Sequence, residues 1–153
     1  MSVTTGKKIP EFASAATHGE FRLSSLNGKI LVLYFYPKDN TPGCSVEAAE
    51  FRDRYKEFTK LNTVVIGVSR DSLKSHASFR TKFELPFDLI SDPDEELCAL
   101  FGVMKLKNMY GKQVRGIERS TFVIDASGKL VQEWRGAKVP GHVAEVLTYV
   151  KNL

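Results

Sequence analysis

The side chain best suited to chemistry in this sequence is the thiol of Cys44, which follows the loop Asn40-Thr41-Pro42-Gly43. The segment before this loop is strongly apolar and predicts a strand, and the segment after it is amphipathic and predicts a helix. A thiol in the first turn of a helix faces free backbone N–H groups and the positive end of the helix dipole. Both favour the thiolate, which is the nucleophilic form of cysteine. Cys44 is therefore predicted to be a reactive nucleophile.

Three further residues lie at fixed spacings from this thiol: Pro37 and Thr41 before it, and Glu47 one turn after it. The spacing P-x-x-x-T-x-x-C-x-x-E resembles the active-site motif of the peroxiredoxins. With its flanking letters, YFYPKDNTPGC resembles the bacterioferritin comigratory protein (PrxQ-type) branch of that family. The resemblance covers nearly the whole chain, and its other specific parts are residues 69–72 (SRDS) and 116–122 (GIERSTF). It implies a thiol-dependent peroxidase.

Peroxide reduction needs a thiolate, hydrogen-bond donors for both peroxide oxygens, and a positive charge that stabilises the leaving oxygen. The resemblance implies that Thr41 hydrogen-bonds the peroxide or the sulfur. It also implies that the backbone N–H groups of Gly43 and Cys44 donate to the bound oxygens. Arg119, within the segment 116–122, would supply a fixed cation with several donors. The substrate is then hydrogen peroxide or an organic hydroperoxide.

The same resemblance gives Pro37 and Glu47 supporting roles. Pro37 would shield the pocket without adding a backbone N–H, and Glu47 would orient Arg119. Taken singly, each residue has a plainer explanation. Pro37 could merely end a strand, Thr41 could be a turn residue, Glu47 could complement the helix dipole, and Arg119 could be a rim charge. Their combination at the spacing of the family favours a peroxidase site.

Alternating strands and helices must position these residues. Apolar runs predict buried strands over Lys29 to Tyr36 and Thr63 to Ser69, with a helix from about Cys44 to Lys60 between them. The remaining predicted elements are a helix capped by Asp71 and running to about Phe83, a strand from Phe87 to Ile90, a helix begun by Asp92-Pro93 and ended by Gly102, a basic loop from Val103 to Gly116, a hairpin of 121–124 with 130–134, and a helix after Pro140.

This order predicts an α/β fold, a mixed central β-sheet flanked by helices, in a single domain over residues 1–153. The resemblance implies a thioredoxin-like fold with the N-terminal extension of the peroxiredoxins. Charges of both signs are interspersed at a net +4, so no nucleic-acid partner is predicted. Without a secretion signal or a membrane-spanning run we expect a cytoplasmic protein, and the resemblance implies a monomer. The two cysteines and three histidines lack metal-ligand spacing, so neither a metal nor a cofactor is predicted.

The second cysteine decides how the catalytic thiol is regenerated. Many PrxQ-type proteins carry a resolving cysteine five residues after the first or in the following helix, but here Ala49 and residues 78–82 supply none. Cys98 lies beside Leu97 and Leu100, where cysteine behaves as a small apolar residue. We therefore predict a one-cysteine cycle in which an external thiol, thioredoxin or glutathione with glutaredoxin, reduces the sulfenic acid. A two-cysteine cycle with Cys98 as the resolving thiol stays open.

Two other functions compete with the peroxidase. A thioredoxin-like disulfide oxidoreductase uses a nearby cysteine pair, and the chain has no C-x-x-C. A peroxide-sensing or chaperone-like protein that passes oxidation to a partner stays open as an additional activity. A Cys–His pair of the protease type would need a histidine beside Cys44. Nothing in the sequence places His18, His76 or His142 there, so each is predicted to be a surface or half-buried structural residue.

Overall fold

The computed structural model describes residues 3–26 and 28–153. Their regular elements are β1 (Ala13–Ala16), β2 (Gly19–Arg22), a 3-10 helix (Leu23–Leu26), β3 (Ile30–Phe35), α1 (Pro42–Asp53), α2 (Tyr55–Lys60), β4 (Thr63–Ser69), α3 (Leu73–Lys82), β5 (Leu89–Ser91), α4 (Glu96–Phe101), β6 (Met104–Met109), β7 (Lys112–Ile117), β8 (Ser120–Ile124), β9 (Leu130–Arg135) and α5 (His142–Lys151). No helix among these residues is long and apolar enough to cross a membrane.

Seven strands form one mixed sheet in the order β2-β1-β5-β4-β3-β8-β9. Strands β3, β4 and β5 run parallel, whereas β8 runs antiparallel to β3. Phe35, the last residue of β3, is paired with Ser120, the first residue of β8. The chain leaving β3 and the chain entering β8 therefore meet at one edge of the sheet.

Strand β3 is buried on both faces, which explains why it is a continuous apolar run in the sequence. Val32 and Tyr34 pack into one apolar cluster together with side chains of α1, α2, α3 and α5. Leu33 and Phe35 pack into a second cluster, which includes side chains of α4 and of the N-terminal segment. The predicted mixed sheet flanked by helices is confirmed.

The helix predicted from Cys44 to Lys60 is two helices. Helix α1 ends at Asp53 and α2 begins at Tyr55, because Arg54 between them has φ −104° and ψ 8°, outside the helical region. The apolar stripe nevertheless continues across this break from Ala48 to Phe58, and both of these side chains are buried.

The cap of α3 is Ser72 and not Asp71. The side chain of Ser72 accepts a hydrogen bond from the backbone N–H of Ser75 at 3.1 Å. The carboxylate of Asp71 instead accepts from the backbone N–H of Asp39 and from the hydroxyl of Ser69. Asp71, predicted to cap a helix, is instead hydrogen-bonded to the segment before Cys44.

Helix α4 begins later than Asp92-Pro93 predicts, at Glu96. Asp92 still caps it across the intervening turn, because its carboxylate accepts from the backbone N–H groups of Leu97 and Cys98 at 3.1 and 2.8 Å. The helix ends at Gly102 as predicted, and this glycine has φ +65°.

The basic loop predicted from Val103 to Gly116 is wrong, since these residues form the hairpin β6–β7. Met104 is paired with Ile117 and Met109 with Lys112, and the turn uses Tyr110 and Gly111 at φ +53° and +79°. The two-residue turn with positive φ at both positions favours a tight hairpin. Most described side chains of the hairpin are exposed, so burial leaves little apolar pattern to predict two strands.

Candidate active site

Cys44 is the third residue of α1, so the predicted place in the first turn of a helix is confirmed. Thr41 is the N-cap residue, with extended φ −87° and ψ 153°, and Pro42 occupies the first helical position, where no backbone N–H is needed. The thiol is only 2% exposed and packs in the same apolar cluster as Ala48 and Phe51. The fold holds this sulfur at the positive end of a helix of 12 residues.

Arg119 immediately precedes β8 and therefore lies at the edge of the sheet where β3 ends. Its Nη2 is 3.4 Å from Sγ of Cys44, and its Nη1 donates to Oε1 of Glu47 at 2.5 Å. A side chain on Gly43 would place a Cβ only 3.2 Å from Nη2. The guanidinium therefore bridges the sulfur and the carboxylate in a space that glycine leaves open.

The buried carboxyl group of Glu47 is electrostatically unusual. Burial raises its pKa to about 7, and the attraction of Arg119 opposes this shift without cancelling it. Its Oε2 has no hydrogen-bond partner among the described residues. For Arg119, burial acts to lower the pKa, but the negative charges of Glu47 and Cys44 prevail and raise it. Arg119 is therefore a fixed cation, and the charge of its carboxylate partner changes near neutral pH.

Thr41 and Pro37 lie in the segment between β3 and α1. The Thr41 hydroxyl donates to the backbone carbonyl of Lys38 at 2.8 Å, so its oxygen keeps its acceptor capacity. Because its single proton is directed to this carbonyl, the hydroxyl has no other proton to donate to the sulfur. Pro37 is half-buried in the bend two residues after the end of β3.

Sequence reasoning missed a buried polar network beneath this segment. Asp39, 4% exposed, accepts hydrogen bonds from the hydroxyls of Tyr36 and Ser75 at 2.6 and 2.8 Å. Nδ1 of His76 lies 2.8 Å from the same carboxylate. The prediction that His76 is a surface or half-buried residue is wrong, because its ring is fully buried. The residues around His76 in sequence give no signal of a partner 37 positions away.

Asp39, Asp71 and His76 are also the group whose chemistry comes nearest to a metal site. One ligand atom from each lies within 4.8 Å of the others. Their oxygens already accept from hydroxyl and backbone donors, among them Ser69 on Asp71. We interpret the cluster as a hydrogen-bonded network.

The other two histidines lie away from this network. His142 is buried, contrary to the sequence prediction, and its Nε2 lies 2.7 Å from the hydroxyl of Thr121. Burial lowers the pKa of His142, so the neutral ring is favoured. His18 is half-exposed and lies 2.9 Å from a carboxylate oxygen of Asp88, as expected for a surface residue.

An apolar groove of about 380 Å³ adjoins the site. Its lining residues are Pro42, Gly43, Val46, Glu50, Val139 and Pro140. Gly43 lines the groove and lies beside the site, because a Cβ there would be 3.8 Å from Val139 and 3.2 Å from Arg119.

Cys98 lies on the other side of the sheet from Cys44. It is fully buried in the apolar cluster that contains Leu33 and Phe35, whereas Cys44 belongs to the opposite cluster. Burial and the neighbouring carboxylate of Asp92 raise the pKa of the Cys98 thiol far above its usual value. The protonated thiol is a poor nucleophile.

A helix-start cysteine against an arginine, on a mixed sheet flanked by helices, defines a peroxiredoxin. The chain belongs to the AhpC/TSA family, whose model matches residues 5–133. It is 49% identical over 154 residues to peroxiredoxin Bcp of Bacillus subtilis, covering 100% of this chain and 98% of that protein. It is 54% identical over 143 residues to peroxiredoxin Bcp of Xanthomonas campestris, covering 94% and 88%.

The solved structures agree. A cysteine variant of PrxQ from Xylella fastidiosa superposes with a TM-score of 0.93 at 44% identity, covering 99% of this chain and 98% of that one. The resemblance to PrxQ-type peroxiredoxins and the thioredoxin-like fold are therefore confirmed. The protein is a thiol-dependent peroxidase, and its class acts on a peroxide with a thiol as reductant.

Proposed function

We propose that Cys44 is the peroxidatic residue and that Arg119, Thr41, Pro37 and Glu47 complete its site. The observation that carries this proposal is the 3.4 Å contact between Nη2 of Arg119 and Sγ of Cys44. A cation at this distance favours the thiolate over the thiol. It also lies beside the position where negative charge develops on the peroxide.

In the proposed reaction the Cys44 thiolate attacks the terminal oxygen of ROOH, the one that carries hydrogen. The S–O bond forms as the O–O bond breaks, and the departing RO⁻ takes up a proton to leave as ROH or water. The sulfur is oxidised to a sulfenic acid and the peroxide is reduced. Arg119 and the backbone N–H groups of Gly43 and Cys44 stabilise the moving charge, and Thr41 accepts a hydrogen bond from the oxygen that carries the peroxide proton.

Regeneration follows a one-cysteine cycle in this proposal. A thiol from outside the chain attacks the sulfenic acid, water leaves, and a second thiol releases reduced Cys44 from the mixed disulfide. Thioredoxin, or glutathione with glutaredoxin, supplies these thiols. The burial of Cys98 on the opposite face of the sheet supports this cycle. The alternative cycle, with Cys98 as the resolving thiol, requires that α4 or α1 unfold.

The proposed substrates are hydrogen peroxide and organic hydroperoxides. A related structure, the Xanthomonas campestris bacterioferritin comigratory protein, is described as having alkyl peroxide reduction activity. The apolar groove between Val46 and Val139 supports the same substrate class here, because an alkyl group can pack against its apolar lining next to Gly43.

The proposal extends to the setting of the reaction. The chain would act as a single domain over residues 1–153 and as a monomer, in the cytoplasm, where thiol reductants keep cysteines reduced. Analytical ultracentrifugation at micromolar protein concentration tests whether the protein is a monomer. A peroxide-sensing or chaperone-like role would be an additional activity of the same oxidised Cys44.

The experiment that tests the proposal is stopped-flow oxidation of the reduced protein by hydrogen peroxide and by cumene hydroperoxide. Fast oxidation of one thiol per chain, followed by mass mapping of the sulfenic acid to Cys44, supports the peroxidase and its site. Rates equal to those of free cysteine contradict it. Replacing Val46, on the groove, by Ser should slow cumene hydroperoxide more than hydrogen peroxide, and equal slowing contradicts the assignment of the groove.

A further inference from the structure

The segment that leads into α1 is attached to the rest of the protein through Asp39. The carboxylate of Asp39 is bound by Tyr36 from the end of β3 and by Ser75 and His76 from α3. Its backbone N–H donates to Oδ2 of Asp71 at 2.9 Å, in the turn after β4. One residue of this segment is thus tied to three separate parts of the fold.

The ring of His76 occupies an unusual position between two acceptors. Nδ1 lies 2.8 Å from Oδ2 of Asp39, and Nε2 lies 2.9 Å from the backbone carbonyl of Ile90 in β5. Only the doubly protonated imidazolium can donate to both at once. Two carboxyl groups lie in the same cluster as the ring, those of Asp39 and Asp71. For Asp39, burial acts to raise the pKa, but the hydrogen bonds from His76 and Tyr36 prevail and lower it, which favours the carboxylate form of Asp39.

The segment after Asp39 leaves little freedom for Cys44. Asn40 has φ +62°, a left-handed conformation that asparagine adopts more readily than most residues, and Thr41 is already the N-cap residue of α1. No flexible spacer separates the anchored carboxylate from the helix that carries the thiol. A shift of Asp39 would therefore move the first turn of α1 relative to Arg119, which is held from β8.

We propose that Asp39 and His76 are positioning residues of the peroxidase: their buried pair fixes the start of α1 so that the Cys44 sulfur stays within reach of the Arg119 guanidinium. The inference rests on the proposed function of Cys44 and Arg119. It adds that the reactivity of the thiol depends on a side chain of α3 that does not touch the substrate. The link between His76 and Asp39 carries the effect, and the link between His76 and Ile90 anchors the ring to the sheet.

Two substitutions separate these links. The amide nitrogen of Asn takes a place near Nδ1, so His76→Asn can keep the hydrogen bond to Asp39 and lose the one to Ile90. The amide nitrogen of Gln takes a place near Nε2, so His76→Gln can keep the hydrogen bond to Ile90 and lose the one to Asp39. Both variants lose the same buried ring. Ser78→Ala, on the exposed side of α3, is the matched control.

The measurements are the second-order rate constant for hydrogen peroxide at neutral pH and the pH dependence of Cys44 alkylation by iodoacetamide, with folding checked by circular dichroism. We expect His76→Gln to lower the peroxide rate constant about tenfold or more and to move the alkylation curve, since small misplacements of reacting groups cost up to about 100-fold. We expect His76→Asn to stay within about threefold of the parent, and Ser78→Ala to match it.

A folded His76→Gln that reacts at the parental rate overturns the inference, and so do equal losses in the Asn and Gln variants. If His76→Gln does not fold, Ser75→Ala takes its place. This variant removes one hydrogen bond from the Asp39 carboxylate and keeps the ring. It should slow peroxide about twofold to fivefold, and a parental rate overturns the inference. Slow oxidation of the parent itself would instead contradict the proposed function.

Discussion

Nη2 of Arg119 lies 3.4 Å from Sγ of Cys44, although 75 positions separate the two residues in the chain. The sheet explains this proximity. Because β8 runs antiparallel to β3 and Ser120 pairs with Phe35, the residue before β8 is brought to the point where the chain leaves β3 for α1. Glu47, one turn further along α1, receives the other arm of the same guanidinium. The planar guanidinium of arginine carries several N–H donors, so it can hydrogen-bond both Cys44 and Glu47.

Replacing this arginine should impair both ionisation and chemistry. In Arg119→Ala the alkylation of Cys44 at neutral pH should slow, because the positive charge beside the sulfur is lost. At a pH where the thiol is fully ionised, the rate with hydrogen peroxide should still fall about 100-fold to 1000-fold, because a donor to the developing negative charge is missing. Stopped-flow kinetics and iodoacetamide alkylation over a pH series measure the two effects.

Arg119→Lys is the matched control for charge. A single ammonium group keeps the positive charge but cannot bridge Cys44 and Glu47 with a rigid fork. We expect Arg119→Lys to resemble the parent closely in Cys44 alkylation. Its rate constant with hydrogen peroxide should recover only in part. If alkylation curves and peroxide rates of Arg119→Ala both superimpose on those of the parent, Arg119 is only a surface charge.

Cys44→Ser should abolish peroxide consumption with any thiol reductant while it leaves the fold intact. A serine hydroxyl is not ionised at neutral pH and is close in size to the thiol. Circular dichroism with a coupled peroxidase assay checks both statements. Thiol-dependent turnover that persists in this variant rules out Cys44 as the peroxidatic residue.

The buried carboxyl group of Glu47 should make stability depend on pH. Its pKa is raised from 4.5 to about 7 in the folded protein, so between these values the folded state binds more protons than the unfolded state. The free energy of unfolding therefore decreases as pH rises through this window and levels off above it. At about 1.4 kcal/mol per pKa unit, the contribution is on the order of a few kcal/mol.

Glu47→Gln tests this expectation, since its amide does not titrate. Urea unfolding from pH 4.5 to 8 should give a flatter dependence for this variant than for the parent. Glu57→Gln is the control, because the Glu57 side chain is 45% exposed and should leave the dependence unchanged. Identical slopes in the parent and Glu47→Gln would show that Glu47 does not titrate in this range.

The fold was predictable where local patterns agree with burial. The run from Ile30 to Phe35 is apolar because β3 is covered on both faces, and the four buried apolar residues of α5 follow a helical stripe. The hairpin β6–β7 was missed because it forms a separate two-stranded sheet with few buried side chains. Its strands are stabilised by pairing with each other, and such pairing leaves a weaker pattern in the sequence than burial does.

The candidate site divides in the same way. The resemblance named Cys44, Arg119 and Glu47, and the structure brings these three side chains together. The Asp39–His76 pair was not predicted, since a buried hydrogen-bonded pair depends on tertiary contacts and has no characteristic spacing. Neither residue is distinguishable in the sequence from a turn aspartate or a surface helix histidine.

The last prediction distinguishes the one-cysteine cycle from the two-cysteine cycle. Cys98→Ser should keep turnover with the natural reductant, because the thiol is buried among apolar side chains on the face of the sheet opposite to Cys44. Peroxide-treated parent protein should contain a sulfenic acid at Cys44 that dimedone traps, with no intramolecular disulfide. Cys98→Ala, which adds no hydroxyl to the apolar cluster, controls for any loss of stability in the serine variant. Peptide mapping that finds a Cys44–Cys98 disulfide forming as fast as turnover would make Cys98 the resolving thiol, because it would show that the structure opens far enough to join the two faces within each cycle.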